Sequence, residues 1–468
     1  MKNTFYVTSP IYYPNDVPHL GHAYTNLACD VLARWNRLKG KDVFFLTGTD
    51  EHGKKIAETA DKKGIPPKKF VDELIPEFKK AWKTLDINYD HFIRTTDKEH
   101  ETVVREILEK VHKNGDIYKG TYEGYYCTGC EAYYTEKDAI DLHCPIHGKK
   151  LELLKEESYF FKLSKYEKFL LEFYKKNPNF ISPQHRKNEI VNRIKEGLKD
   201  FSISRTSFDW GIKLPFDEKH VCYVWFDALL NYYSATKKKG LDKYWPADLH
   251  IIGKDILWFH SVYWPAMLKS AGLELPKRVF AHGWWTVNSQ KMGKSAGNAI
   301  SVDKLVSIAG LDSARYFLLR ETSFGEDGDF SQESLIQRHN DELGNKLGNL
   351  VSRLSTLAEK YGLENKTNSL FTKGILDDVD NHLDNLEFDK ALQVIMHLID
   401  KINEYLQENK PWETKDAKTL YVASDSLKNA TILLSSFIPE TCNKIKEVNF
   451  FVQLFEREVK LFVVFKIK

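Results

Sequence analysis

Near its beginning, the chain passes from a short strand pattern into a long amphipathic helix through a turn that contains two histidines. The strand is expected at residues 5–8, and residues 18–22 read PHLGH. Apolar residues then recur at helical spacing as far as Leu38, and Gly40 ends the pattern. Strands that alternate with helices in this way are typical of parallel α/β sheets, so this feature restricts the fold class strongly.

The same turn predicts a phosphate-binding site. A helix N-terminus carries backbone N–H groups without intrahelical partners and about half a positive charge. His19 and His22 at that end can donate to phosphate oxygens, and Gly21 leaves room for a flat base. About 270 residues later, residues 291–295 read KMGKS and supply the ammonium groups of Lys291 and Lys294. Either motif alone is typical of solvated residues, but together they predict a clamp for a triphosphate.

Composition sets wider limits. The 468 residues exceed one compact core, so three or more units are expected. The net charge of +2 neither requires nor excludes a nucleic-acid partner, and any basic surface must be local. The first residues lack the pattern of a signal peptide, and no run of 18 or more apolar residues predicts a membrane span. The six cysteines do not form a disulfide framework, so a cytoplasmic protein without membrane partners is expected.

Periodicity predicts how the chain is organised. Strand-like runs (5–8 and 43–46) alternate with helical patterns (20–38, 68–85 and 98–113) over the first 115 residues. Residues 116–150 lose that periodicity, and helical patterns return at 164–176 and 184–199. Strand-like runs then resume at 221–225, 250–252 and 279–281, so a first sheet is expected to be interrupted and later completed.

From about residue 332 onward, helical periodicity dominates and predicts a helical bundle. The helical stretches are 332–361, 374–408 and 417–446, with Gly362 and Pro411 between them. Residues 450–468 are rich in Phe and Val, and both an edge strand and a poorly ordered end remain open for them.

Cysteines and a histidine with metal-ligand spacing occur in the interrupted region. Cys127 and Cys130 form one close pair, and Cys144 and His147 form a second pair after a short loop. Three thiolates and one imidazole can surround Zn²⁺ tetrahedrally and leave no open position, so a structural zinc knuckle is predicted. His147 is preferred to His143 because its spacing mirrors the first pair. Unrelated surface residues and a nucleic-acid-binding finger are the alternatives.

At this point the chain resembles one family, the methionyl-tRNA synthetases of class I. Besides the knuckle, the resemblance is carried by segments in family order along nearly the whole chain: TSPIYYPNDVPHLGHAY (8–24), FLTGTDEHG (45–53), SISRTSFDWGI (202–212), YVWFDALLNY (223–232), HIIGKDILWFHSVYWPAML (250–268), AHGWWTVNSQKMGKS (281–295) and the Lys-Pro-Trp of residues 410–412. One departure is Gly293, where the lysine signature of the family usually has Ser.

The resemblance implies an α/β fold. A Rossmann-type doubly wound parallel sheet is expected to be split by the zinc-knuckle insertion and followed by an all-α anticodon-binding bundle. The expected parts are the first half of the catalytic domain (1–115), the connective insertion with the knuckle (116–213), the second half of the catalytic domain (214–285), the lysine loop and stem-contact region (286–335) and the helical anticodon-binding domain (336–468).

The resemblance also implies site residues. Asp50 would hold the α-ammonium of methionine, and the other residues of the methionine pocket would be Ile11, Tyr13, Trp225, Ala228, Tyr232, Ile256, His260 and Trp264. Gly21, Gly253 and Asp255 would contact the nucleoside of ATP, and His19, His22, Lys291 and Lys294 its phosphates. Asn349, Arg353 and Trp412 would bind the anticodon. Taken alone, the tryptophans and His260 would more often be core residues.

The expected reaction has two steps, in which methionine and ATP form methionyl-adenylate and tRNA(Met) then takes the methionyl group. Mg²⁺ is expected to accompany ATP. A small-molecule nucleotidyltransferase and a zinc-containing RNA-binding protein derived from a synthetase are the rival hypotheses. Many members of the family carry a further C-terminal barrel that dimerises, and because the sequence stops soon after the bundle, a monomer is predicted.

Overall fold

The computed structural model describes residues 3–127, 132–134, 141–145, 148–287, 289–292 and 298–448. Two compact units make up the chain. The first, called the sheet unit, contains Met1–Val17, Asp42–Lys80 and Asn88–Ala281. The second, called the helical unit, contains Pro18–Lys41, Ala81–Ile87 and His282–Lys468.

The described strands belong to one six-stranded sheet and several smaller sheets. They are β1 (Thr4–Tyr12), β2 (Asp42–Thr49), β3 (His91–Arg94), β4 (Ile117–Cys127), β5 (Ala132–Tyr134), β6 (Glu152–Phe161), β7 (Ile181–Ser182), β8 (Phe201–Ser202), β9 (Ser204–Arg205), β10 (Lys213–Leu214), β11 (Asp217–Cys222), β12 (Leu249–Gly253), β13 (Val279–His282), β14 (Trp285–Val287), β15 (Gln290–Lys291) and β16 (Gly328–Phe330).

The described α-helices are α1 (Leu20–Leu38), α2 (Lys54–Lys62), α3 (Pro67–Thr84), α4 (Lys98–Lys113), α5 (Glu167–Lys176), α6 (Gln184–Lys195), α7 (Val224–Leu229), α8 (Asn231–Ser234), α9 (Trp264–Ser270), α10 (Val302–Ala309), α11 (Leu311–Arg320), α12 (Gln332–Arg338), α13 (Asn349–Tyr361), α14 (Lys373–Asp384), α15 (Phe388–Asn409), α16 (Pro411–Thr414), α17 (Ala417–Leu434) and α18 (Pro439–Glu447). Turns of 3₁₀ helix occur at 163–166, 235–237, 242–244 and 254–256, and π-helical turns at 259–263 and 339–348.

The large sheet of the sheet unit has the order β3-β2-β1-β12-β13-β7. Strand β1 pairs in parallel with both β2 and β12, and β2 pairs in parallel with β3. The order reverses beside β1, as in a doubly wound sheet, where ligands bind beyond the carboxyl ends of the strands. The predicted α/β class and the interrupted sheet are therefore confirmed.

One expected strand of this sheet is wrong. Residues 221–225 were expected to continue the parallel sheet, but only the first two belong to a strand, β11, which lies in a small antiparallel sheet with β9 and β10. Helix α7 begins at Val224, and the N–H groups of Phe226 and Asp227 donate to Tyr223 O. The run of apolar residues reads equally well as a buried strand or a buried helix, because its periodicity is not distinctive.

The helical unit confirms the predicted bundle, with breaks that periodicity did not indicate. The stretch 374–408 is divided into α14 and α15, and Leu386 between them adopts a φ of 61°. The stretch 417–446 is divided into α17 and α18, where Pro439 begins the second helix. Within the described ranges, every helix is too short or too polar to cross a membrane.

A buried arginine connects several elements of the helical unit. Arg315 on α11 is fully buried and donates to Asp30 Oδ2 on α1 at 2.8 Å. It also donates to the main-chain oxygens of Leu85 and Phe437, each at 2.8 Å. Since a buried charge needs an ionic partner and further hydrogen bonds, these contacts fix the position of α1 within the unit.

Candidate functional site

The structure brings together the aromatic residues expected to line the methionine pocket. Trp225 at the start of α7 lies edge-on to His260, with ring centroids 6.2 Å apart. Tyr232 on α8 lies 5.6 Å from His260 and 6.0 Å from Trp264. All four belong to the sheet unit, so elements distant in the sequence build one aromatic cluster.

The remaining expected pocket residues lie in the same unit. Ile11, Tyr13 and Ile256 are partly buried and pack against the same hydrophobic core. Ala228 is buried on α7, almost one turn after Trp225. Asp50 is only 6% exposed and follows the carboxyl end of β2, where its N–H donates to Tyr12 O at 2.9 Å.

Two hydrogen bonds indicate which ring nitrogen of His260 carries the proton. Its Nδ1 lies 3.0 Å from Ile256 O and must donate to that carbonyl oxygen. Its Nε2, 2.7 Å from the Tyr232 hydroxyl, then accepts. Burial lowers the pKa of His260 to about 4, although the hydrogen bond to Ile256 and the charge of Asp255 oppose this. The pocket therefore holds a neutral imidazole at neutral pH.

Two residues of this cluster were missed from the sequence. Phe259 stacks on Trp225 with centroids 3.8 Å apart and planes 3° apart. His250 on β12 accepts from Trp264 Nε1 at 3.3 Å and lies 2.7 Å from Thr8 Oγ1. Burial, together with the charge of His260, lowers the pKa of His250. The sequence placed His250 only in a strand-like run, and its partners come from other elements.

The residues expected near the nucleoside lie at the end of β12. Gly253 is the last residue of that strand, and Asp255 follows in the 3₁₀ turn. A Cβ atom at Gly253 would lie 2.6 Å from Asp255 Oδ1. The glycine therefore leaves space for the Asp255 carboxylate in its present position.

The expected phosphate contacts begin at the N-terminus of α1, in the helical unit. The N–H of Gly21 donates to His19 Nδ1, and the N–H of His19 donates to His22 Nδ1, both at 3.1 Å. In a neutral ring whose Nδ1 accepts, the proton resides on Nε2. Both imidazoles thus cap the helix through Nδ1 and carry their donor on Nε2.

One expectation about this helix end is wrong. The first N–H groups were expected to be free, but Leu20 N donates to Ile300 O, Gly21 N to His19 Nδ1 and His22 N to His19 O. A Cβ at Gly21 would lie 3.0 Å from the His19 ring, so the glycine leaves room for that ring, and its expected contact with the nucleoside stays a prediction. Capping groups that are distant in sequence explain the difference, and the imidazoles remain as donors.

The described residues that follow the lysine loop lie beside this helix end. Residue Ile300 accepts from Leu20 N at 2.9 Å, and Ser301 forms an antiparallel bridge with His19. Before the loop, β14 pairs with β15, which contains Lys291. Lys294 lies outside the described residues. The expected convergence of the two motifs is thus supported by the backbone on the C-terminal side of the loop.

The helical unit also contains a polar cavity of about 560 Å³. Two of the expected anticodon residues, Asn349 and Arg353, line it from one face of α13. The complete described lining is Asn345, Asn349, Ser352, Arg353, Thr356, Leu357 and Asn403. Arg353 donates to Asn403 Oδ1 on α15 at 2.7 Å, a contact that the sequence did not indicate. Trp412 is half-buried on α16 and is not among the described lining residues.

Part of the expected zinc knuckle is described. Cys127 and Cys144 are both buried and pack with Leu151 in a small core. Gly148, with a φ of 62°, donates from its N–H to Cys144 O and closes a tight turn. Cys130 and His147 lie outside the described residues. Two of the four expected ligands therefore lie in one small core, and the zinc site stays a prediction.

A second group of potential metal ligands occurs among the described residues. Glu157, Asp217 and His220 bring one ligand atom each within 4.8 Å of the others. However, Lys119 Nζ lies 2.7 Å from Glu157 and 3.4 Å from Asp217. Lys119 on β4 thus pairs with Glu157 on β6 and with Asp217 on β11, so the group is interpreted as an ion-pair cluster between two small sheets.

Comparison with known proteins points to one family. Residues 5–153 and 136–355 match the family described as tRNA synthetases class I (M), and residues 371–460 match the anticodon-binding domain of tRNA ligase. The methionine–tRNA ligase of Caldanaerobacter subterraneus is 49% identical over 96% of this chain and 74% of its own length. That of Rickettsia conorii is 45% identical over 95% of this chain and 92% of its own length.

A solved structure gives the same result. Mycobacterium tuberculosis methionyl-tRNA synthetase in complex with methionyl-adenylate is 40% identical and superposes with a TM-score of 0.90, covering 95% of this chain and 93% of that one. Similarity of this extent argues against both rival hypotheses. The chain therefore belongs to the methionyl-tRNA synthetases, the methionine–tRNA ligases of class I.

Proposed function

We propose that this chain activates methionine with ATP and transfers it to tRNA(Met), with the aromatic cluster of the sheet unit as the methionine pocket. The observation that carries the assignment is the cluster itself, because it presents aromatic rings and a neutral His260 to its ligand. Thioether sulfur makes favourable contacts with aromatic rings, and a neutral, partly dry pocket favours an uncharged side chain. Asp50 holds the α-ammonium through a charge-assisted hydrogen bond.

For ATP, the proposed contacts are divided between groups of different chemistry. Asp255 accepts from ribose hydroxyls, and Gly253 keeps its carboxylate in position. His19 and His22 donate from Nε2 to phosphate oxygens, and Lys291 and Lys294 add positive charge. Phosphate oxygens and water hold Mg²⁺, which supplies further charge neutralisation.

In the first step, the methionine carboxylate attacks the α-phosphorus and pyrophosphate leaves. The step needs no protein nucleophile, so alignment of the reactants and stabilisation of growing negative charge account for catalysis. In the second step, a hydroxyl of the terminal adenosine of the tRNA attacks the activated carbonyl and AMP leaves. The imidazole donors act on the first step because the charge on the leaving pyrophosphate grows there.

Replacing His22 with Ala tests this role. Adenylate formation should slow by roughly 10²–10³, the usual effect of losing one preorganised donor, whereas methionine affinity should change little. Pyrophosphate exchange and methionine binding measure the two properties. His185, an exposed histidine on α6, provides the matched His→Ala control. A near-normal exchange rate in the His22 variant would reject the proposed phosphate contact.

Anticodon recognition is proposed for the cavity in the helical unit. Unstacked RNA bases are recognised by hydrogen bonds and by stacking on aromatic or guanidinium planes. Asn349 and Arg353 supply an amide and a guanidinium on one helix face, and Trp412 supplies an indole ring. Because Arg353 is bound to a neutral amide, it keeps a net positive charge for RNA.

A structural zinc ion is proposed at Cys127, Cys130, Cys144 and His147. Replacing Cys144 with Ser should lower the zinc content of the purified protein, as measured by mass spectrometry. Cys222, a buried cysteine in the small sheet of β9–β11, is the matched control and should leave zinc content unchanged. An unchanged metal content in the Cys144 variant would reject the site.

A monomer in the cytoplasm, where tRNA is charged, completes the proposal. Sedimentation at micromolar concentration tests the first part, and a mass twice that of the 54.4 kDa chain would contradict it.

A further inference from the structure

A buried series of hydrogen-bonded side chains, made of histidines and a carboxylate, lies within the sheet unit. Asp227 accepts from His52 Nδ1 through Oδ2 and from His100 Nε2 through Oδ1, both at 2.7 Å. His100 Nδ1 then lies 2.7 Å from Ser234 Oγ. Asp227 and His100 are each 1% exposed and His52 is 3% exposed. This series of side chains therefore connects the loop after β2, helix α7, helix α4 and helix α8 through polar contacts.

Two members of this hydrogen-bonded series, His52 and Asp227, lie next to residues of the proposed methionine site. His52 is two positions after Asp50. Asp227 lies between Trp225 and Ala228 on α7. Any shift along the His52–Asp227 bond would therefore change the distance between the carboxylate proposed to hold the ammonium and the pocket wall that contacts the side chain.

Glu51, the residue after Asp50 in the same loop, is also held by hydrogen bonds. The carboxylate of Glu51 accepts from Arg94 at 2.6 and 2.8 Å, from Thr49 and from Thr96. Trp210 Nε1 donates to Glu51 O at 2.6 Å. These contacts fix the main chain beside Asp50, but none of them reaches α7. The His52–Asp227 bond supplies that connection.

Charge supports the connection. Burial alone would lower the pKa of His52, but the charge and hydrogen bond of Asp227, with the charges of Glu101 and Glu51, raise it. The pKa of Asp227 is lowered by His52 and His100, against the effect of burial. A neutral His52 still donates from Nδ1, so the bond does not require the imidazolium.

We propose that His52, Asp227 and His100 are positioning residues for methionine, which set the ammonium-binding carboxylate of Asp50 at the correct distance from Trp225 and Ala228. This inference rests on the proposed function of Asp50. A well-packed apolar cluster could stabilise such a place equally well, because buried charge pairs often contribute little net stability. A directional pair is suited to holding two elements in one register.

The contribution of the amino group to binding tests this inference. Dissociation constants are measured by equilibrium dialysis for methionine and, in competition, for 4-(methylthio)butanoate, which is methionine without its amino group. The dissociation constant of the analogue divided by that of methionine reports the contact with Asp50. This ratio does not depend on the fraction of folded protein. Replacing Asp227 with Asn should reduce this ratio roughly tenfold, because the charge-assisted hydrogen bond between Asp50 and the ammonium of methionine is lost or weakened.

Reference variants separate the possible outcomes. Asp50→Asn should reduce the ratio further. His91→Gln changes a histidine that does not belong to this hydrogen-bonded series, and it should leave the ratio unchanged. His100→Gln should reduce the ratio to a smaller extent and serves if Asp227→Asn does not fold. Equal loss of affinity for both ligands in the Asp227 and His100 variants would overturn the inference and leave a merely structural role. An unchanged ratio in Asp50→Asn would instead reject the proposed function of Asp50.

Discussion

The proposed methionine pocket and the proposed anticodon cavity, called below the pocket and the cavity, are built in opposite ways. In the pocket, Tyr232, His260 and Trp264 are almost fully buried, and rings contact rings. In the cavity, Asn349 is exposed, Arg353 is half-buried, and six of the seven described lining residues have polar side chains. A buried apolar site suits a small side chain with one sulfur atom, whereas an open polar site suits bases that approach from solvent.

The polar groups of the two regions differ in the same way. In the pocket, the nitrogens of His260 bond to Ile256 and Tyr232, so the imidazole is neutral and its orientation is fixed. In the cavity, Arg353 is oriented by the neutral amide of Asn403. The comparison suggests that the pocket recognises its ligand by shape and by one charge, whereas the cavity uses an oriented cation. It also implies that variants of the two regions should affect different steps.

Among variants of these two regions, the largest effect is expected for Asp50→Asn. Loss of the charged partner of the methionine ammonium should raise the KM for methionine by about 10², since hydrogen bonds between charged groups contribute roughly 1.5–3 kcal/mol. Pyrophosphate exchange measures KM, and the KM for ATP should stay nearly constant. Asp61→Asn, on the exposed side of α2, is the matched control. Equal increases in both KM values would show a general disturbance of the unit.

The second prediction concerns the neutral state of His260. Its pKa is about 4 when folded, below the ordinary value of 6.5, so the unfolded chain binds this proton first as the pH falls. Stability should therefore be lost between about pH 6.5 and 4, by about 2 kcal/mol at pH 4.5. Denaturant unfolding at pH 7 and 4.5 should show a smaller loss for His260→Gln than for the wild type. Equal losses would contradict the buried neutral imidazole.

The third prediction concerns the cavity of the helical unit. Arg353→Ala should lower kcat/KM for tRNA charging by roughly tenfold or more, within the usual range for one base contact, and leave pyrophosphate exchange unchanged. Lys360→Ala removes an exposed cation from the same helix and is the control. If exchange fell in parallel with charging, Arg353 would be a packing residue.

The smallest effect is expected for Asn403→Ala. Loss of the amide that orients Arg353 should reduce tRNA charging about threefold, in line with the modest net value of one neutral hydrogen bond. Asn409→Ala is closely matched, because Asn409 lies on the same helix and also donates to the carbonyl four residues earlier. A larger loss than in Arg353→Ala would contradict an indirect role.

Local patterns predicted those parts of the molecule that depend on neighbouring residues. Helix α1 occurs where its periodicity placed it, and β12 and β13 completed the sheet. The resemblance led to Trp225 and His260 as expected pocket residues, and the structure brings their rings together. By contrast, the capping of α1 by Ile300 and the partners of Asp227 involve residues far apart in the chain. Such contacts arise only from the tertiary fold, and no spacing in the sequence indicates them.

The central claim is that the sheet unit selects methionine without help from tRNA. Pyrophosphate exchange in the absence of tRNA, measured with each of the twenty amino acids, tests it most directly. Methionine should support exchange at least about tenfold better than any other amino acid, which is within the reach of one shaped pocket. Comparable exchange with a second amino acid, or exchange that requires tRNA, would contradict the account.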